Sequence, residues 1–110
     1  MVSFRQHEKK AVRILAGSHI ESTLLEGLLS RNDCEYDYTI VGYFITVADP
    51  RITLDLTCHT PGITGTDGTT LTSYIVFLRL NKLTLECHLC DGSELLDEDY
   101  RDKEIELEIS

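Results

Sequence analysis

Residues 74–89 read YIVFLRLNKLTLECHL, two apolar-alternating runs joined at Asn81-Lys82, and they decide the fold class. Tyr74, Val76, Leu78 and Leu80 face one way, and Leu83, Leu85, Cys87 and Leu89 return on the same side. Alternation with period two marks a strand with one buried face, and Asn tolerates the left-handed backbone that a tight turn demands. The hairpin so read pairs Leu80 with Leu83, Leu78 with Leu85 and Val76 with Cys87.

The same alternation appears upstream. Val41, Tyr43, Ile45 and Val47 share a face, Asp49-Pro50 interrupts the run, and Ile52, Leu54, Leu56 and Cys58 resume it. A first hairpin turning at Asp49-Pro50, or through a longer Ala48–Arg51 loop, would pair Val47 with Ile52, Ile45 with Leu54, Tyr43 with Leu56 and Val41 with Cys58. The two hairpins end alike, Leu54-x-Leu56-x-Cys58-His59 and Leu83-x-Leu85-x-Cys87-His88; a duplicated unit would do this, and so would two strands written from the same few residue types. Residues 59–70, with Pro61, Gly62, Gly65 and Gly68, read as a long loop. That loop lacks Lys and Arg and leads into a strand, so its glycines do not make a phosphate cradle.

Toward the N-terminus the period becomes helical. Phe4, Ala11, Val12 and Leu15 define one helix, opened by a Ser3/Gln6 capping box and closed at Gly17; Ile20, Leu24, Leu25, Leu28 and Leu29 define a second, opened by Ser18/Glu21. Gly27 inside the second helix costs about 1 kcal/mol relative to Ala, which a closely passing backbone would rationalise. At the other end Ile105, Leu107 and Ile109 alternate with Glu104, Glu106 and Glu108 in an acidic edge strand. The expected fold is a single α+β domain: a helical segment (1–33), two β-hairpins (36–89), and an acidic connector and edge strand (91–110), with the helices packed on one sheet face.

The formal charge of −9 is concentrated late in the chain, where residues 91–110 carry two basic against nine acidic side chains. A chain without a basic stripe is a poor ligand for nucleic acid or anionic lipid, and basic protein surfaces are its natural partners. No run reaches the roughly 20 apolar residues of a membrane helix, and no export signal opens the chain, so a cytoplasmic or nuclear setting with reduced thiols is expected.

Cys58, His59, Cys87 and Cys90 are the candidate metal ligands, because Cys-x-x-Cys supplies two of the four ligands a closed zinc site needs. On a strand, however, Cys87 and Cys90 point to opposite faces, so a zinc-stabilised domain is the alternative reading and no cofactor is the main one. A small enzyme using a thiol or one of His7, His19, His59 and His88 is a further alternative; without a nucleophile-and-base signature, no catalytic residue is assigned. The positive signal is apolar surplus. Tyr36, Tyr38, Ile40, Phe44, Leu71, Ile75 and Phe77 fall on the face opposite the first set, and Leu95, Leu96 and Tyr100 sit among carboxylates in the connector. Tyr36, Tyr38, Phe44, Ile75, Phe77, Leu95, Leu96 and Tyr100 are therefore the expected interface of a small acidic accessory or regulatory protein. It would act by protein–protein interaction, pair as a homodimer, and fit a viral or mobile-element origin.

Overall fold

The computed structural model describes residues 1–90 and 95–110. Among these, two N-terminal helices and a seven-stranded antiparallel sheet make the expected α+β fold. Helix α1 (Gln6–Ala16) buries Glu8, Ala11, Val12, Leu15 and Ala16, the i, i+3, i+4 spacing of one helical stripe. Helix α2 (Ser22–Leu29) buries Leu25, Leu28 and Leu29. Both helices start later than the capping boxes in the sequence suggest. Arg5 and Glu21 occupy the N-cap positions: the Arg5 amide donates to Glu8 Oε1 at 2.6 Å, and the Leu24 amide donates to Glu21 Oε2 at 2.9 Å. Gly27 lies on the solvent side of α2 with nothing within 4 Å of where a Cβ would stand, so no backbone passes close to it.

Strands β1 (Glu35–Tyr38), β2 (Gly42–Ala48), β3 (Leu56–Cys58), β4 (Ile63–Thr66), β5 (Leu71–Arg79), β6 (Lys82–Leu89) and β7 (Glu106–Ile109) are ordered β1-β2-β6-β5-β4-β7, with β3 also against β5. The hairpin β5–β6 forms, but its register differs from the expected one by two residues. Leu78 faces Leu83, Val76 faces Leu85 and Tyr74 faces Cys87. The turn is Leu80-Asn81 because Asn81 takes the left-handed conformation (φ 66°), and Leu80 is left exposed.

The other expected hairpin is not present. β2 pairs with β1 and β6, so Val47 faces Leu83, Ile45 faces Leu85 and Tyr43 faces Cys87. Asp49 closes a turn instead, accepting the Arg51 amide on its carboxylate (2.8 Å) and the Ile52 amide on its carbonyl (3.1 Å). The chain then runs past the β5–β6 turn, where the Asn81 amide donates to Ile52 O at 2.7 Å and the Asp49 amide to Asn81 O at 2.9 Å. β3 and β4 follow one another along β5, and residues 59–62 leave the ladder between them. The expected loop over 59–70 therefore contains a strand, β4. The matching Cys-His endings belong to strands with different partners and carry no repeated hairpin.

Alternation along β2, β5 and β6 buries Tyr43, Ile45 and Val47; Tyr74, Val76 and Leu78; and Leu83, Leu85, Cys87 and Leu89 on one face, beneath the helices. Fully burying each such aliphatic side chain is worth about 1.5–3 kcal/mol, so this layer is the main source of stability. Ile40, in the β1–β2 turn, has φ 74°, an outlier for a β-branched residue, and its side chain is half exposed. Ile40→Asn relieves the strain without opening a cavity, and chemical denaturation should show the variant more stable by about 1 kcal/mol; an unchanged or lower midpoint would mean that the turn carries no strain.

Candidate protein-binding face

The pairing partner, not the alternation of a single strand, decides which face a side chain joins. Tyr36 lies opposite Ile45 and Tyr38 opposite Tyr43, so both tyrosines sit on the covered face and not on the open one where the sequence places them. There they meet a buried polar cluster. Glu8 is fully buried, and its carboxylate accepts four hydrogen bonds: from the Arg5 amide, from Tyr43 Oη (2.6 Å), and from Arg101 Nη2 (2.9 Å) and Nε (3.1 Å). Arg101, 5% exposed and within the 3-10 turn Tyr100–Asp102, also donates to Ser3 O at 2.7 Å. Its guanidinium stacks 5.3 Å from the Tyr36 ring centroid and 6.0 Å from that of Tyr43. Burial, then Cys87 and Glu8, push the Tyr43 pKa far up, so the phenol stays a donor.

The connector residues divide. Leu96 and Tyr100 are each 1% exposed and belong to the core, Tyr100 through a hydroxyl bonded to Gly65 O and Thr72 Oγ1; only Leu95, 73% exposed, is free to touch a partner. The Leu96 amide donates to Ile40 O at 2.7 Å, and Tyr38 Oη donates to Leu96 O, so this segment is strapped across the β1–β2 turn. Residues 91–94 of the acidic connector lie outside the described residues.

On the open face β2, β6 and β5 set Phe44, Glu86 and Ile75 in one row and Thr46, Thr84 and Phe77 in the next, with Thr57 of β3 beyond Phe77. Phe44, Ile75 and Phe77 are half-buried although, among the described residues, no helix lies over them. Arg79 lies 5.4 Å from the Phe77 ring, and Thr46 and Thr84 join their hydroxyls at 2.9 Å. Three members of the expected interface thus come together on the open face. The apolar area is smaller than the sequence suggests, since Tyr36 and Tyr38 point the other way and Ile40 is in a turn.

The cysteines do not converge. Cys58 and Cys87 point to the covered face from strands separated by β5, and Cys90 is exposed past the end of β6. Burial pushes the Cys87 thiol up to about 12 and raises that of Cys58 as well, which makes both poor thiolates. Among the described residues no cluster of His, Cys, Asp and Glu is arranged to hold a metal ion.

Two further features are absent from the reading of the sequence. A cleft of about 580 Å³ opens between α1 and β4–β7, where Gln6, His7 and Lys10 face Gly65, Ile105 and Leu107. A Cβ on Gly65 would stand 2.9 Å from the Tyr74 ring, so only glycine lets this ring fill the floor. His7 stacks edge-on to Tyr74 with its Nε2 buried and unpartnered among the described residues, and burial lowers its pKa against the opposing pull of Glu8. The other feature is the Glu8–Arg101 pair itself. Glu8 could have been found, because it falls on the α1 stripe that runs through Ala11, Val12 and Leu15.

These observations define the class: a two-layer α+β protein whose antiparallel sheet is covered on one face and, among the described residues, open on the other. Comparisons with family models, with curated proteins and with solved structures find no match to this chain.

Removing one member of a buried pair strands the other, at a cost of about 3–5 kcal/mol. Glu8→Ala and Arg101→Ala should each lower the unfolding free energy by that order in urea titrations, and the double variant by much less than the sum. Losses below about 1 kcal/mol in both single variants would show that the cluster is not a structural tie.

Proposed function

We propose that this protein is a small binding module, an accessory or regulatory protein that self-associates through the open sheet face and engages a protein with a basic surface. The observation that carries the reading is Phe44, Ile75 and Phe77 in two neighbouring rows of a sheet face that no helix covers among the described residues. A soluble sheet with one solvated side ordinarily presents polar side chains there, and aromatic residues at such positions mark contact surfaces. The charge of −9 supplies the preference for a basic partner.

The size of the face sets the expected strength. Its apolar part, two phenylalanines and an isoleucine that are each half-buried, is small beside the roughly 800 Å² per partner of a standard interface. Self-association is therefore expected in the micromolar range. A face of this kind works as a reversible contact between copies.

Size-exclusion chromatography with light scattering from about 1 to about 100 μM should show a monomer–dimer transition. Phe44→Asp/Phe77→Asp should abolish it while leaving the circular dichroism spectrum unchanged. A wild-type mass that stays monomeric throughout, or a dimer that persists in the variant, would refute self-association through this face.

A further inference from the structure

We propose that the free edge of β7 accepts an extended segment of the partner protein as an added strand, with Lys or Arg alternating with Val, Ile or Leu. The proposal rests on the reading of a binding module for a basic partner, and it adds the place and the mode of binding.

β7 ends the strand path, and its pairing with β4 fixes which backbone groups are spent. The Ser110 amide donates to Gly62 O at 2.9 Å. Bonded pairs in an antiparallel ladder recur every second residue, so Glu108 and Glu106 turn their amides and carbonyls toward β4. Those of Leu107 and Ile109 point outward, along an edge that a further strand can join.

The side chains state what kind of strand that is. Glu104, Glu106 and Glu108 are exposed, and none has an ion-pair partner within 4.0 Å among the described residues. Several carboxylates elsewhere on the surface are paired, Glu26 with Arg13, Asp33 with Arg31, Asp97 with Lys103 and Asp102 with Arg5, while Glu35, Asp37 and Glu86, like the row on β7, have no such partner among the described residues. The row on β7 repeats at about 7 Å, two residues of strand, which is the spacing of side chains on one side of an added strand. Basic residues fit that side. The other side of β7 presents Ile105, Leu107 and Ile109, the last 54% exposed, and leads into the cleft beneath His7 and Lys10. Apolar side chains of the incoming strand occupy that space.

Charge also chooses among occupants. β7 of a second copy would set glutamates against glutamates, and like charges facing across strands are destabilising. The acidic row thus disfavours self-pairing at this edge and favours a basic partner strand. The open face and the edge are separate surfaces, one for a second copy and one for the partner.

The test uses a capped, fluorescently labelled peptide of about eight residues alternating Lys with Val, titrated into the protein and followed by anisotropy. Saturable binding is expected, weakened about tenfold by Glu106→Lys/Glu108→Lys and weakened again when salt rises from about 50 to about 300 mM. A peptide N-methylated at alternate residues keeps the charge but loses the ladder, and it should bind at least about tenfold more weakly. Equal binding of the methylated peptide would overturn the added strand in favour of simple charge attraction, and indifference to the charge reversal would overturn the site. Phe44→Asp/Phe77→Asp should bind the peptide like the wild type, even if that protein never dimerises. Loss of binding in this variant alone would place the peptide on the open face and contradict the proposal.

Discussion

The carboxylate of Glu8, fully buried and given four hydrogen-bond donors, is the constraint on which the arrangement of the layers depends. Its partners come from three distant parts of the chain: the N-terminus of α1, the middle of the sheet at Tyr43, and the 3-10 turn at Arg101. A charge taken out of water has to be matched in full, and here geometry supplies the match only when helix, strand and C-terminal segment are all in place. Apolar packing would tolerate small slides of α1 over the sheet. The ion pair would not.

That tie explains why the molecule is one-sided. Arg101 brings the C-terminal segment under control, Tyr100 roofs Gly65 and Thr72, and Leu96 plugs the gap beside the β1–β2 turn. Among the described residues, α1 and the 3-10 turn are thereby held to the face that also carries α2. The other is left with Phe44, Ile75 and Phe77 among threonines and Glu86, and the chain ends in a strand whose glutamates line the border of the sheet. Stability and the proposed binding surfaces thus come from one asymmetry.

Much of this was legible in the sequence, and the rest was hidden for physical reasons. Period-two alternation in residues 74–89 identified a hairpin and its buried side, because both strands of an antiparallel pair show the core the same residue types. It did not fix register, since sliding by two residues keeps every side chain on its face; Asn81, with φ 66°, set that. The partner of β2 was hidden for a similar reason: Val47, Ile45 and Tyr43 alternate identically whether they face Ile52, Leu54 and Leu56 or Leu83, Leu85 and Cys87. Long-range pairing with β6 prevailed, and the β1–β2 turn, with Ile40 at φ 74°, broke the alternation and set Tyr36 opposite Ile45 and Tyr38 opposite Tyr43, on the covered face. Arg101 lay in an acidic run that reads as solvated, and only the partner waiting at Glu8 makes its burial possible.

The central claim is that covering elements on one face leave the other for contact. A dilution series followed by two-dimensional NMR with assigned methyl and aromatic signals tests it most directly. Concentration-dependent shifts should gather on Phe44, Ile75 and Phe77 and their neighbours Thr46 and Thr84, while Tyr43, Tyr100 and the buried side of α1 stay still. Shifts gathered on α1 or the covered face, or none at any concentration, would contradict the account.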